Sequence, residues 1–251
     1  MSIKNNIVYE EYISSQQYDF EEVDFNGEKL VKLTRNNVAL VEAMIRNDSA
    51  YRKTTDKLAG PKPGYKGSSA YWLDKLKQIL IDKVEVEEGY DRVIQEAVEA
   101  IDRENSTHLN SDKVGREEIT ERIRNISRED LLNCLKDPHY KDGYLIRCIS
   151  EKTHADKKPR MNLSFASKFC HFASFSLFEN TDYQDNYSIY DSILKASIPK
   201  YLKYFKIGDT FDLNDYSQYQ KAVDAIRQSS GTEISRNGFD HLIWYYHKAR
   251  I

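Results

Sequence analysis

This sequence of 251 residues has little of what marks disulfide-rich, metal-binding or membrane proteins. It contains only three cysteines, an odd number with no CxxC pair, and they lie in apolar segments with helical spacing. We therefore expect buried thiols, and neither disulfides, a structural zinc site nor an iron–sulfur cluster. No stretch of 18 apolar residues could span a membrane, and residues 1–11 contain no apolar signal core. These absences predict a soluble, cytoplasmic protein without a membrane partner.

An excess of positive charge is also missing. Lys and Arg number 37 against 40 Asp and Glu, so the formal net charge is −3 and gives no overall attraction to nucleic acid. Positive charge is concentrated in residues 62–66, 152–160 and 195–206, the last with interleaved aromatic side chains. Basic and aromatic residues together suit a phosphate backbone and unstacked bases, although a solvated helix face produces the same pattern. Any contact with DNA is therefore expected to be local.

The hydrophobic pattern predicts a mainly α-helical fold with a small β-hairpin near the N-terminus. Residues 20–25 and 28–33 alternate apolar and polar side chains around Asn26-Gly27, a dipeptide that favours a type I′ turn. Beyond this hairpin the apolar residues recur with the helical period, and no segment repeats internally. We expect the hairpin segment to occupy residues 1–35.

Residues 36–251 are expected to form one domain of short helices, in which the sequence also allows two lobes. The 60–67 segment contains two prolines and three glycines, so it is predicted to be an exposed loop that could contact a ligand. Ser127 begins a capping box at the start of a helix that Asp137-Pro138 ends. The sequence contains no low-complexity tail and no linker long enough to separate independent domains.

Lys168, on a predicted aromatic helix, is the first candidate for catalysis. Phenylalanines and an alanine between residues 165 and 173 recur with helical spacing and are expected to pack inward. Lys168, His171 and Phe175 then lie on the opposite or flanking face. In aromatic surroundings the lysine can lose hydration, which favours the neutral amine that attacks carbon. The ordinary interpretation is a lysine that lies over the aromatic surface with its ammonium in water.

Asp191 is the second candidate and follows Lys168 by 23 residues. Residues 187–190 alternate like an extended segment and a helical stripe begins at Ile193, so Asp191 is predicted to be the N-cap, although Pro199 could delay the helix. An N-capping carboxylate stays ionised because it accepts backbone N–H groups at the positive end of the helix. It could stabilise an oxocarbenium-like centre or accept a proton from an amine. Most aspartates at such positions only cap.

Three short motifs resemble those of bacterial proteins related to the 8-oxoguanine DNA glycosylases. They are residues 163–172 around Lys168, residues 189–192 around Asp191, and residues 239–244. The resemblance covers roughly residues 120–251. It implies a helix-hairpin-helix DNA glycosylase-like helical bundle with the catalytic lysine on the second helix of the hairpin. Lys168 would be the Schiff-base nucleophile and Asp191 the catalytic aspartate.

The resemblance also implies where DNA would be held. The residues expected to contact DNA are Lys157, Lys158, Arg160, Ser167 and His171. The residues expected to line a pocket for the flipped base are Phe175, Tyr190 and Trp244. No glycine-rich turn precedes the lysine helix, so basic side chains would replace backbone amides as phosphate ligands.

The implied reaction is excision of a damaged or modified base from DNA, in repair or in defence against foreign DNA, with no metal or organic cofactor. The lysine attacks the sugar C1′ as the base departs, and the resulting imine permits strand cleavage.

The alternative is a non-catalytic helical module that binds nucleic acid or protein, which the 18 tyrosines and the basic loops would also suit. A metal hydrolase is disfavoured because residues 108–112 and 154–156 lack the helical HExxH spacing. No obligate protein partner is evident.

Overall fold

The computed structural model describes residues 19–54, 67–105, 109, 114–153 and 161–248, and within them the chain forms two strands and ten helices. The elements are β1 (Glu22–Phe25), β2 (Glu28–Val31), α1 (Arg35–Thr54), α2 (Ser69–Leu80), α3 (Tyr90–Asn105), α4 (Val114–Arg124), α5 (Arg128–Lys136), α6 (Tyr144–Ser150), α7 (Leu163–Leu177), α8 (Ser192–Tyr204), α9 (Tyr216–Ser229) and α10 (Arg236–Lys248). The predicted mainly helical fold with an N-terminal β-hairpin is confirmed. None of the described helices has both the length and the apolar character that a membrane span requires.

The hairpin forms around Asn26-Gly27, as predicted. Both residues have positive φ, 53° and 81°, which is the backbone of a type I′ turn, and β1 pairs antiparallel with β2. Buried Asn37 closes the open end of the hairpin. Its side-chain amide donates to the carbonyls of Glu21 and Lys32, and its oxygen accepts from the Glu21 N–H at 3.0 Å. A single buried side chain therefore joins the hairpin to the first turn of α1.

The chain divides into two compact units. The first contains residues 1–62 and 191–251, and the second contains residues 63–190. In the first unit, α10 packs against α1, α8 and β2. The buried Tyr201 hydroxyl donates to the carbonyl oxygen of Val31 at 3.0 Å, so α8 is tied to the hairpin. The hairpin thus shares a core with α1, α8 and α10.

In the second unit, α7 lies at the centre of the packing. It packs against α2, α3, α5 and α6, and α2 pairs in turn with α3. Phe165 and Phe169 of α7 are buried, as are Leu76 of α2 and Ile94 and Ile101 of α3. Full burial of each such side chain contributes roughly 1.5–3 kcal/mol. The predicted apolar stripes are therefore the core, with Phe172 only half-buried where it was expected to pack inward.

The predicted helix ends in the second half of the chain are confirmed in part. Ser127 caps α5 by accepting a hydrogen bond from the Asp130 N–H at 3.1 Å, and Asp137 ends the helix. Asp191 caps α8, which begins at Ser192 and continues through Pro199. The predicted delay is not seen, because the helix already begins at Ser192 and includes the exposed Pro199 in its interior.

Candidate functional site

Lys168 extends from α7 to the end of α3. Its side chain is half-buried, and Nζ lies 3.5 Å from the carbonyl oxygen of Asn105, the last residue of α3. The last carbonyls of a helix carry its partial negative charge, which favours the protonated ammonium. Lys168 is thus held in surroundings that suit its charged form, and it must release a proton before it can act as a nucleophile.

The end of α3 is also joined to the start of α2. Glu104 accepts hydrogen bonds from the Ser69 backbone N–H at 3.0 Å and from the Ser69 hydroxyl at 2.5 Å. Arg103 donates to the carbonyl oxygen of Gly67 at 2.8 Å. A carboxylate at the N-terminus of α2 stabilises the helix dipole. The end of α3 that Lys168 reaches is therefore tied to the start of α2.

Of the predicted 60–67 loop, all but Gly67 lies outside the described residues.

Asp191 is the N-cap that the sequence predicted. Its Oδ1 accepts a hydrogen bond from the Leu194 N–H at 2.8 Å, and its backbone carbonyl accepts from the Lys195 N–H at 2.9 Å. The residue is half-buried. A capping carboxylate of this kind is held in one orientation and stays ionised at neutral pH. Its catalytic role stays a prediction.

An extended segment, residues 186–190, follows α7 and its turn, and we call it the strap. At its first end the Asn186 amide donates to the carbonyl oxygens of Lys136 and Leu135 at 2.5 and 3.2 Å. The Tyr187 hydroxyl donates to the carbonyl oxygen of Cys134. These carbonyls belong to the last turn of α5, where no helical N–H can reach them. The strap therefore completes the hydrogen bonding of α5.

The strap is also tied to α7 at two points, through Tyr190 and through Tyr187. The Tyr190 N–H donates to Ser167 Oγ at 2.9 Å, and His171 Nδ1 lies 2.7 Å from the carbonyl oxygen of Tyr187. Because a carbonyl only accepts, Nδ1 must carry the proton in this contact. Ser167 and His171 are buried, with exposed fractions of 0% and 2%. In this structure these two residues bind the strap within the second unit. The resemblance had implied that they contact DNA.

The three residues expected in a base pocket lie in different surroundings. Phe175 is 41% exposed and stacks on the His171 ring, with centroids 6.0 Å apart. Tyr190 is half-buried at the end of the strap. Trp244 lies on α10 in the first unit, half-buried, with its ring edge-to-face against Tyr245. Two cavities, of about 520 and 380 Å³, are lined by other residues, at the α9–α10 turn and between α3 and α4.

Three of the predicted DNA contacts, Lys157, Lys158 and Arg160, lie outside the described residues. The segment that contains them connects α6 to α7, and these two helices pack against each other. The described ends of the connection are joined, because the Asn162 N–H donates to the Ser150 carbonyl at 2.9 Å. The helix-hairpin-helix fold stays a prediction, because its turn would fall in residues 154–160, outside the described residues.

The thiols of the second unit are poor nucleophiles at neutral pH. Burial raises the pKa of Cys134 to about 11 and that of Cys170 well above its usual value. Cys148 is half-buried, and burial raises its pKa as well. The reactive form of cysteine is the thiolate, which such surroundings disfavour. None of these three thiols is therefore a candidate nucleophile at neutral pH.

A buried ion pair was not predicted from the sequence. Asp102, 5% exposed, accepts hydrogen bonds from Arg116 at 2.7 and 3.2 Å and from the Leu109 N–H at 3.1 Å. It joins α3 to α4 and to the connection between them. The available signal was a carboxylate inside the apolar stripe next to Ile101, since a buried carboxylate requires a partner.

Chemically, the described residues provide an ammonium at a helix end, a capped carboxylate and a strap held by both ends. Comparisons with protein-family models, with curated proteins and with solved structures returned no significant match. Within the residues that the structure describes, no cluster of three histidines, cysteines or carboxylates could hold a metal ion. These side chains and the sequence motifs are therefore the features that indicate a function.

Proposed function

We propose that the chain is a DNA glycosylase with AP lyase activity, in which Lys168 is the nucleophile and Asp191 the catalytic carboxylate. One observation carries the proposal. The residues that immediately precede the two in sequence, Ser167 and Tyr190, are joined by a hydrogen bond of 2.9 Å. Within the second unit, the residue before Asp191 is thus tied to α7 next to Lys168. Such anchoring is what positioned catalytic groups require.

The reaction begins when a damaged or modified nucleotide is turned out of the DNA stack. Neutral Lys168 attacks C1′ while the bond between C1′ and the base breaks, and the base leaves with the bonding electrons and takes up a proton. Opening of the sugar ring gives an imine, and β-elimination then breaks the bond to the 3′ phosphate. Asp191 stabilises the positive charge at C1′ and accepts the proton that the ammonium releases.

The DNA contacts in this proposal are fewer than the resemblance implied. Lys157, Lys158 and Arg160 are retained as phosphate ligands, and Tyr190 and Trp244 as candidates for the base pocket. The buried residues Ser167 and His171 are assigned to the strap instead. Phe175 is left out because the segment that follows it, residues 176–185, contains three carboxylates and no basic side chain. DNA is the only partner required, and the chemistry needs no metal or organic cofactor.

Borohydride trapping tests the proposal directly. Borohydride reduces the imine, so the wild-type protein is expected to form a covalent complex with duplexes that contain an abasic site, 8-oxoguanine or another modified base. Lys168→Gln should abolish the complex. Lys221→Gln is the matched control, because Lys221 is exposed on α9 and undergoes the same change of charge. Circular dichroism checks that both variants fold. Trapping that survives in Lys168→Gln would remove this lysine as the nucleophile.

A non-catalytic nucleic-acid-binding module is the second candidate. It is favoured by the position of Lys168 Nζ at the C-terminal end of α3, which suits an ammonium better than a neutral amine. In that case the protein binds DNA without releasing a base from any duplex. Mass spectrometry of the reaction supernatant measures base release and so separates the two functions.

A further inference from the structure

Exposed aromatic side chains are concentrated at the C-terminal end of α7. The large apolar side chains that are exposed among the described residues are Val84, Met161, Phe175 and Tyr183. Phe175 lies in the last turn of α7, and Tyr183, 45% exposed, lies in the turn of residues 178–185 that follows. We call Phe175, Glu179, Asp182 and Tyr183 the aromatic–acidic surface. Aromatic side chains are enriched at protein interfaces, so two exposed rings in adjoining segments favour a binding surface.

The turn that presents this surface is held by its own hydrogen bonds. Gln184 accepts from the Asn180 N–H at 3.1 Å and donates to the Phe175 carbonyl at 3.3 Å. The Thr181 hydroxyl donates to the Phe178 carbonyl at 2.8 Å. Each ring also has an aromatic neighbour inside the unit, His171 for Phe175 and Phe178 for Tyr183. A preformed surface loses little conformational entropy when a partner binds.

The charge of the surface decides what kind of partner suits it. Glu179 and Asp182 are exposed, and neither has an ion pair within the described part of the chain. Residues 175–185 contain three carboxylates and no basic side chain, and with Lys136 of α5, which lies against the Tyr183 ring, the carboxylates still outnumber the cation three to one. A phosphate backbone would be repelled, whereas a cation would be attracted by the carboxylates and by the ring faces. One such contact already exists, because Lys136 Nζ lies 6.0 and 5.9 Å from the Phe178 and Tyr183 ring centroids.

We propose that the aromatic–acidic surface binds a basic peptide segment of a partner protein, with a guanidinium stacked on Phe175 or Tyr183 and paired with Glu179 or Asp182. Arginine suits the surface better than lysine, since its planar group can stack on a ring and pair with a carboxylate at the same time. The site lies wholly within the second unit and does not depend on the proposed glycosylase activity.

Fluorescence anisotropy with the full chain tests this inference. The probe is a fluorescein-labelled peptide of alternating arginine and glycine, compared with lysine–glycine and glutamate–glycine peptides of equal length. The arginine peptide is expected to bind most tightly. Phe175→Ala and Tyr183→Ala should each weaken it about two- to fivefold, whereas Phe175→Tyr keeps the ring and the binding. The double variant Glu179→Gln/Asp182→Asn should weaken binding and reduce its salt dependence.

The control variant Asp82→Asn/Glu87→Gln removes two other exposed carboxylates of the same unit. Equal weakening by this control would show attraction to the overall charge and would overturn the proposal. So would undetectable binding of the arginine peptide, or binding that Phe175→Ala and Tyr183→Ala leave unchanged. Tighter binding of a single-stranded DNA probe that Phe175→Ala weakens would instead assign the rings to nucleic acid.

Discussion

The Tyr190 N–H donates a hydrogen bond to Ser167 Oγ, and the same hydroxyl donates to the Ser164 carbonyl at 3.1 Å. Ser167 has no exposed surface. Its side chain therefore cannot exchange these partners for water without opening the packing between α7 and the strap. One buried hydroxyl fixes the chain immediately before Asp191.

Ser167→Ala is expected to lower the free energy of unfolding by about 1–3 kcal/mol, because the Tyr190 N–H loses a buried acceptor. Urea denaturation measures the loss. Ser176→Ala on the same helix is the control, since Ser176 is half-buried and is expected to change the stability by less than about 0.5 kcal/mol. Equal effects of the two substitutions would show that the hydrogen bond does not stabilise the strap.

Substitutions of Asp191 separate capping from catalysis. Asp191→Ala should cost about 1 kcal/mol of stability through the lost cap of α8, whereas Asp191→Asn caps nearly as well. Both remove the carboxylate, so both should slow imine formation in the trapping assay by a similar factor. Thermal or urea unfolding measures the first effect, and single-turnover kinetics the second. If the rate follows stability across the two variants, Asp191 acts only as a cap.

The buried pair between Asp102 and Arg116 is expected to matter most for the stability of the second unit. Asp102→Ala leaves Arg116, which is 23% exposed, without its closest partner and the Leu109 N–H without its acceptor, and should cost about 1.5–3 kcal/mol. Glu99 lies 3.9 Å from the same arginine but is 44% exposed, so Glu99→Gln should cost less than about 1 kcal/mol. Denaturant titrations of the two variants give the comparison, and similar losses would contradict the assigned role of burial.

The pH dependence of stability should reveal the pair of Asp130 and Lys141. The hydrogen bond from Lys141, assisted by that from Tyr140, lowers the pKa of Asp130 below 3.8, and the hydrogen bond to Asp130 raises the pKa of Lys141 above 10.5. The contribution of Asp130 is present above its ordinary pKa and is lost as pH falls through the lowered value. That of Lys141 is present below its ordinary pKa and is lost as pH rises through the raised value.

The difference in urea midpoint between wild type and Asp130→Asn should therefore be largest near neutral pH. It should begin to shrink below about pH 4 and above about pH 10.5, where one partner loses its charge in the unfolded state, and vanish once the pH passes the shifted pKa of the folded state. Lys141→Gln should give the same profile. A difference that is constant from acid to alkaline pH would show that the ion pair does not contribute.

Features specified by a few adjacent residues were predictable from the sequence. Asn26-Gly27 dictates its turn through positive φ, and Asp191 dictates its cap because a carboxylate stands immediately before an apolar helical stripe. The surroundings of His171 were not predictable. Its place on a flanking face of α7 suggested exposure, but the strap, whose Tyr187 is 16 residues later, covers that face. Only the tertiary fold decides such contacts.

The sequence allowed two lobes, and its predicted 60–67 loop coincides with one boundary between the units, but it did not predict which residues form each unit. No run of polar residues marks the second boundary near residue 190, and the first unit is assembled from two distant parts of the chain. Periodicity reveals which face of a helix is apolar but not which other helix covers it. Asp102 illustrates the limit, because its partner Arg116 belongs to the next helix and no spacing rule connects them.

The first unit is formed by two separate parts of the chain, and this affects when it can fold during synthesis. Tyr201 bonds to Val31 across 170 positions of sequence, and Tyr246 bonds to Glu22 across 224. While the ribosome is still translating residues 191–251, the hairpin and α1 have no partners for their apolar faces. Residues 63–190 are contiguous and can fold as they emerge, since domains generally fold as units during synthesis. The hairpin and α1 therefore complete their core only after residues 191–251 have been synthesised.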